Sequence, residues 1–516
     1  RACGVCGAVH ATCASLALEM AFSVKPPPMG IVARNLGEAA EFLYDHPLHL
    51  FLLAGPDYSQ AIVKATNPEL WERAEKAEAP HADIHGFDTI GGIMEGLNPL
   101  KGKLYLEALE MTRLAREACC LMYGKYPHPS TLVPGGVSTS LSFSTFNEYH
   151  TRLLKLLDYA KKVAMLWDDL FNFLYEANPA YKEVGRRPAN IIDLGFWDDP
   201  EAYDATYAHA NDWGQKRMAT PGAVINGELR TTELTKLNLG LEEFVEHSFY
   251  EGWGEPRFRT DPLGSPLSPH HPWNKQTIPK PTGRNWREKY TWDTAPRWDR
   301  TVMESGGPLS RQWITALARK VDTPFIKSTG TSVKISIPRF SLPEMELEWK
   351  IPKILNAVER NRARAYHLAY CGMVAYTFLL KAFELMKRGE TKVAARFKAP
   401  TRGTQIGVGF WGAGRGYLSH HIVIDNGKIA NYQIITPSTW MASPRDPWGH
   451  PGPYEEAVLN TPILESYSKP EDFKGIDILR TIRSFDPCMP CTVHLFSGEK
   501  IISREVNSCA CTLEES

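Results

Sequence analysis

Four of the ten cysteines in this 516-residue chain stand as two Cys-x-x-Cys pairs at its opposite ends, Cys3 with Cys6 and Cys488 with Cys491. A Cys-x-x-Cys turn aims two thiolates at one ion, and two such turns offer four soft sulfur donors. If both turns serve one centre, its halves come from the two termini and meet only after the chain has folded. Soft donors select zinc, an iron–sulfur cluster, Cu(I) or nickel over Mg or Ca. The other six cysteines repeat no iron–sulfur spacing, and ten in a chain of this length are too sparse for a disulfide scaffold. No βαβ pattern surrounds either pair, which argues against a thioredoxin-like redox turn. A c-type haem would need His directly after the second Cys, where Gly7 and Thr492 stand. A structural zinc site and a catalytic metal both stay open. Zinc ribbons, however, separate their pairs by roughly 15–20 residues, and here nearly the whole chain intervenes.

The residues between the pairs read as one large body. Residues 100–125 and 146–177 place Leu, Ala and aromatics at three- and four-residue intervals, as long core helices do. A third long helix is predicted from Asn356 to Arg388, polar at its start (ERNRAR) and apolar through its middle. Residues 190–240 read as short strands and turns. HHIVIDNGKIANYQIITP has two alternating apolar runs around an Asn-Gly turn, which predicts a hairpin. The expected fold class is α+β, predominantly α-helical, with long core helices, small antiparallel sheets and hairpins. Residues 250–300, rich in Pro, Trp and Gly, form a long loop of the kind that is usually functional or an interface. No run reaches the 18 apolar residues of a membrane span, and the stretch between His367 and Lys381 reads as a buried helix. With 58 Lys+Arg against 59 Asp+Glu, the chain lacks the bulk charge that nucleic acid would require. It opens on Arg1 rather than Met and enters a motif at once, so an N-terminal segment is expected to be missing.

RxCGVCxxxH at one end and SFDPCxxCxVH at the other resemble the paired signatures of the large, catalytic subunit of nickel–iron hydrogenases of the uptake type. Further blocks are similar in family order: ARNLGEAAEFLYDH, YTWDTAPRWDRTVMESGGPLSR, GRGYLSHHIVIDNGKIANYQIITPSTWMASPRD, PYEEAVLNTPI and ILRTIRSFDPC. They cover most of Arg1–His494, so residues 1–494 would form the large-subunit domain. The resemblance implies an oxidoreductase that splits H2 heterolytically into protons and electrons. Its Ni–Fe centre would carry CO and cyanide on the iron, as NiFe(CO)(CN)2. The alternative is a non-redox scaffold with a structural four-cysteine zinc site.

Carried over residue by residue, Cys3 and Cys488 would be terminal nickel ligands, and Cys6 and Cys491 would bridge nickel and iron. Asp45, in Tyr44-Asp45-His46, matches a buried carboxylate of the family. Arg415 matches the arginine suspended over the open coordination positions, and Asp486 and Asp45 could hold it by charge-assisted hydrogen bonds. Ser438, after Pro437, matches a position that hydrogen-bonds a cyanide. His10 resembles an imidazole beside a bridging sulfur that tunes the metal pair, and His494 would bind a separate Mg or Fe ion. The proton from H2 would go to Cys488 rather than to Arg415, because an arginine keeps its proton to above pH 12. Arg415 would then fix geometry and field.

The family's common Glu-Ala-Pro-Arg-Gly is Gly412-Ala413-Gly414-Arg415-Gly416 here, without the carboxylate and the proline. This variant resembles the actinobacterial-type branch. The family's N-terminal Glu, assigned to proton exit, would lie upstream of Arg1. Residues 495–516 resemble a C-terminal peptide that a maturation endopeptidase removes once nickel-insertion factors have acted; a permanent extension is the alternative. The chain has no cluster motif of its own, so the electrons would leave through a small subunit with iron–sulfur clusters. That subunit would touch the 250–300 loop and the segment His46–His49, in a heterodimer or a higher oligomer of heterodimers. The expected location is cytoplasmic or membrane-associated.

Overall fold

A computed structural model describes residues 3–252, 254–274, 277–285, 287–469 and 472–488, together with the backbone alone of 491–497 and 500–506. Six helices position everything that matters to the site: α1 (Gly7–Phe22), α2 (Pro28–Pro47), α3 (Lys103–Tyr123), α4 (Phe143–Ala177), α5 (Ala357–Lys387) and α6 (Ile476–Ser484). Local signals set their limits. Pro28 opens α2, where its missing N–H costs nothing and its fixed φ suits a helix. Ser142 accepts from the Thr145 amide at 3.2 Å to start α4, and Asn356 accepts from the Glu359 amide at 2.9 Å to start α5. The predicted long helices are therefore present at nearly the predicted bounds.

Helix α5 is the axis of the fold and packs against both α2 and α4. Among the described residues it is the one helix long and apolar enough to cross a membrane by composition. Its central residues from Ala363 to Ala375 are nevertheless buried within the protein, as the sequence predicted. The polar start of α5 is also buried: Arg360 ion-pairs with Glu304 at 2.7 Å, and Arg364 reaches the metal-site region.

A three-stranded antiparallel meander, β1 (Thr404–Ala413), β2 (Gly416–Asp425) and β3 (Lys428–Ile435), lies against α1. The predicted hairpin is β2–β3. Its Asn426 and Gly427 both have positive φ, 49° and 77°, as a two-residue turn matched to strand twist requires. The packing of α1 on β1 is backbone to backbone. A Cβ on Gly409 would stand 2.0 Å from the carbonyl oxygen of Cys13, so only glycine permits the approach. This contact sets the N-terminal cysteine turn beside the tight β1–β2 turn, in which Ala413 pairs with Gly416 and Gly414-Arg415 form the corner.

Smaller elements fill in around this frame. Residues 190–240 contain the expected strands, Ile191–Asp193, Gly222–Ile225 and Glu228–Thr231, in one sheet, with two short helices, Ala210–Gly214 and Leu234–Leu239, that the sequence reading did not predict. The 250–300 loop is anchored at Trp273, which is buried and donates to the Gly407 carbonyl at 3.0 Å. Beyond the second cysteine pair, the backbone of Cys491–Ser497 pairs antiparallel with Lys500–Val506, His494 opposite Ser503.

One expectation is overturned. The segment from His46 to His49 is not a docking surface, because both imidazoles are buried. After Pro47 the chain widens into a π-helical turn, Leu48–Leu53, that turns His49 inward to bond the Arg483 carbonyl oxygen at 2.7 Å. His46 Nε2 stands 2.8 Å from His367 Nδ1 on α5. Tertiary packing, invisible in the local pattern, closes this segment off.

Candidate metal centre

The two ends of the chain meet. Cys3 and Cys6 lie on the turn that leads into α1, and Cys488 follows α6 by four residues. Cys3 Sγ is 3.1 Å from Cys488 Sγ, and Cys6 Sγ is 3.9 Å from it. These separations exceed the 2.03–2.05 Å of a disulfide, and all three cysteines are free. The amides of Val5 and Cys6 both point at Cys3 Sγ, at 3.3 Å each, and would stabilise it as a thiolate. The side chains of Cys491 and His494 lie outside the described residues, as does Arg1.

Crowded sulfurs need a cation. Hydrogen bonding from Cys488 drives the Cys3 thiol far below its ordinary range. Its proximity to Cys3 in turn pushes Cys488 up to about 11, and Cys6 is raised as well, first by Cys3 and then by Cys488 and burial. Three thiolates cannot coexist here without a positive charge between them. Sulfurs bound to one metal at about 2.3 Å sit roughly 3.7 Å apart, so the observed spacing fits a shared soft ion with small adjustments.

A ring of charges stands beside the sulfurs. Arg415 donates through Nη1 to Asp45 Oδ1 at 2.9 Å and presents Nη2 to Asp486 Oδ1 at 3.0 Å. Arg364 Nη1 lies 3.0 Å from Asp486 Oδ2 and 3.6 Å from Asp45 Oδ2. All four side chains are buried. Burial opposes the Arg415 cation, but Asp45 and Asp486 outweigh it and hold its pKa well above the ordinary value. Burial raises the Asp45 carboxyl, and Arg415 opposes that rise. Asp486 is placed by the chain leaving α6 in the left-handed region, at φ 59°, which Asp tolerates better than most residues.

Other predicted residues fall around this core. Ser438 Oγ accepts from the Cys488 amide at 3.2 Å, and Pro437 starts the short helix that carries it. His10 stands one turn beyond Cys6 and bonds His420 at 3.1 Å, with His420 bonded in turn to Tyr432. Burial drives His10 down to about 4, which leaves it neutral near pH 7.

Sequence reasoning missed three features. Arg364 is the first; its signal was the ERNRAR opening of α5, where Arg360 and Arg364 are four apart and share the inward face. The second is a pair of buried carboxyls behind the N-terminal cysteine turn. Glu41 accepts from the Val9 amide at 3.0 Å and Glu38 from Thr12 Oγ1 at 2.5 Å. The third is the cluster of His46, His367 and Cys371. Arg364 donates to His46 Nδ1 at 3.2 Å, so Nε2 carries the hydrogen and donates to His367 Nδ1. That chain engages both facing nitrogens, and Arg364 and Arg311 nearby add positive charge. It is a hydrogen-bonded relay of side chains and not a second metal site.

Comparison with known proteins gives one consistent answer. The family model described as nickel-dependent hydrogenase matches residues 1–83 and 97–494. The chain is 29% identical to the hydrogenase-1 large chain of Escherichia coli strain K12, covering 98% of this chain and 88% of that protein. It is 28% identical to the uptake hydrogenase large subunit of Rhizobium leguminosarum bv. viciae, over 97% and 86%. Among solved structures, the actinobacterial-type NiFe-hydrogenase from Ralstonia eutropha H16 is 49% identical, with a TM-score of 0.92 over 94% of this chain and 88% of that one. The Ni-Fe-Se hydrogenase from Desulfomicrobium baculatum, at 24% identity and a TM-score of 0.68, shares the fold.

Proposed function

The chain belongs to the nickel-dependent hydrogenase family, and on that premise we propose how its residues divide the work of splitting H2 into protons and electrons. It is a large, catalytic subunit of an oxidoreductase acting on H2, with a Ni–Fe centre held by cysteines. The zinc-scaffold alternative finds no support among its relatives. The observation that carries the assignment of residues is the convergence of Cys3, Cys6 and Cys488 from the two termini.

In this reading Cys3, Cys6, Cys488 and Cys491 would hold the metals, Cys3 and Cys488 nickel alone and Cys6 and Cys491 both nickel and an iron bearing CO and cyanide. H2 is a very weak acid, so releasing its proton near neutral pH needs an electron-pair acceptor and a base close by. Nickel and iron, when bound, would supply that acceptor. Cys488 Sγ takes the proton. Arg415 is unsuited to that task, because Asp45 and Asp486 hold it protonated; it contributes a fixed positive field over the reacting bond. Ser438, already bonded to the Cys488 amide, is within the shell that would orient a cyanide, and His10 with His420 forms a neutral, buried wall.

Electrons leave where the centre comes nearest the surface. Gly4, between Cys3 and Cys6, lines an open cleft of about 540 Å³ with Tyr126, Arg113, Arg116 and Arg152. A small subunit with iron–sulfur clusters docks on the face that includes this cleft, and the 250–300 loop is a further contact for it; higher oligomers of the heterodimer are compatible with this. His494 binds the separate Mg or Fe ion, and an endopeptidase removes residues 495–516 after nickel insertion. The complex works in the cytoplasm or against a membrane through its partners. Infrared spectroscopy with elemental analysis of the purified complex tests the reading. CO and cyanide bands with nickel and iron support it; zinc alone without such bands would end it.

A further inference from the structure

Arg415 is the residue the reaction requires to be still, yet its own contacts leave half of each partner carboxylate free. It takes only Oδ1 of Asp45 and Oδ1 of Asp486. The remaining oxygens face a second guanidinium, that of Arg364 two turns into α5: Asp486 Oδ2 at 3.0 Å and Asp45 Oδ2 at 3.6 Å. The same Nη1 donates to the Gly414 carbonyl oxygen at 3.1 Å, on the turn that carries Arg415. The four charges alternate in a closed ring and sum to zero.

A glycine makes the ring possible. A Cβ at Gly414 would stand 1.9 Å from Asp45 Oδ2, so any side chain there would push this oxygen away from Arg364. Arg364 is itself held by α5, whose neighbouring turn is fixed through the Arg360–Glu304 pair, and by its bond to His46. A charge on a rigid core helix thus restrains a charge on a β-turn through two carboxylates and one carbonyl.

We propose that Arg364 is a positioning residue for H2 splitting: by gripping the far oxygens of Asp45 and Asp486 and the Gly414 carbonyl, it sets where the Arg415 guanidinium stands over the metal centre. This rests on the hydrogenase reading above. All of these contacts run through one nitrogen, Nη1, which bonds His46 Nδ1 and the Gly414 carbonyl oxygen, so its hold on the two carboxylates is that of a charge in a fixed place; lysine keeps the charge but not that place. Misplacing a catalytic group by about 1 Å costs roughly 100-fold in rate.

The test compares Arg364→Lys and Arg364→Gln with Arg360→Lys in the metal-loaded complex. Arg360 lies one turn away in an equally buried ion pair that does not touch the ring. The expected result is that both Arg364 variants retain nickel and iron and keep their CO and cyanide bands, but at shifted positions. Their kcat falls about 10- to 100-fold, with KM for H2 little changed, and lysine is the milder substitution. Arg360→Lys lowers thermal stability without moving the bands. Unshifted bands with full turnover in Arg364→Lys overturn the proposal, as does loss of the metals in both Arg364 variants, which would make the residue one of assembly. Absence of CO and cyanide bands in the unsubstituted complex would instead defeat the hydrogenase reading.

Discussion

Arg415 Nη1 and Asp45 Oδ1 meet at 2.9 Å although 370 residues separate them in the chain. The contact joins the corner of a β-turn to the last turn of α2, and with Asp486 it links three distant segments through one guanidinium. Two buried carboxylates on one buried arginine make a rigid arrangement, because burial strengthens each pair and makes losing either partner costly. The rigidity is useful for a reaction whose charge develops over the metals and must meet a field already in place.

Arg415→Lys is therefore expected to keep nickel and iron at their full content while kcat falls by about 100- to 1000-fold, the usual cost of removing one preorganised donor. Lysine retains a charge but cannot satisfy Asp45 and Asp486 together. Metal analysis beside an H2-oxidation assay checks this. Full activity in the variant would remove Arg415 from the mechanism.

Gly414→Ala tests the steric side of the same ring. The added methyl would meet Asp45 Oδ2 at 1.9 Å, with its Cγ at 2.8 Å, so the carboxylate must rotate or the turn must move. Overpacking of this kind costs about 1–3 kcal/mol, and here the strain also displaces a partner of Arg415. The apparent unfolding temperature should drop and turnover should fall with it. An alanine variant indistinguishable from the parent in both would show that Asp45 is not confined by this turn.

The legible part of the molecule was the part written in short-range pattern. The N-terminal Cys-x-x-Cys turn, the apolar periodicity of α3, α4 and α5, and the Asn426-Gly427 turn each depend on neighbours within a few residues, and each was found where expected. Asp45, Arg415 and Asp486 were legible only through resemblance, since a lone charged residue in sequence looks solvated until its partner is known. Arg364, Glu38 and Glu41 were missed for that reason: their partners come from other segments, and charged side chains are rarely buried unpaired. The reading of His46–His49 as surface failed in the same way. The local sequence shows nothing of the partners of these histidines, and α5 and the Arg483 carbonyl take both imidazoles inside.

Glu38 gives a pH signature. Burial pushes its carboxyl up to about 7 from an ordinary 4.5, against hydrogen bonds from Thr12 and Tyr123 that favour the charged form. The folded state therefore holds a proton between about pH 4.5 and 7 that the unfolded chain has already lost. Its contribution to stability is complete below pH 4.5 and is lost as pH rises through 7, a change of about 3 kcal/mol in all. Glu38→Gln keeps the acceptor for Thr12 and removes the titration. From pH 5 to 8 the unfolding temperature of the parent should lose ground to that of the variant, because Glu41, Asp293 and the buried histidines titrate in both and only Glu38 differs. Parallel curves would place the Glu38 carboxylate in an ordinary environment. A carboxylic-acid carbonyl band, lost near pH 7 in the parent and absent in the variant, is the spectroscopic counterpart.

Cys6→Ser separates the metal site from the fold. The sulfurs of residues 3 and 488 close a loop of 485 residues, so a metal bridging them restrains both termini at once. Loop-closure entropy grows only slowly with length, however, and the core formed by α2, α4 and α5 buries its apolar surface without any help from the sulfurs. The serine variant should consequently lose most of its nickel, about nine-tenths or more, because a hydroxyl is a poor ligand for a soft ion. Its far-UV circular dichroism should stay unchanged. Limited proteolysis should cut it faster near the termini, where the lost metal no longer holds residues 3–6 against 488. A variant that unfolds throughout would mean that the thiolate cluster, and not the helical core, holds the body together; one that keeps its nickel would mean that Cys6 is not a ligand.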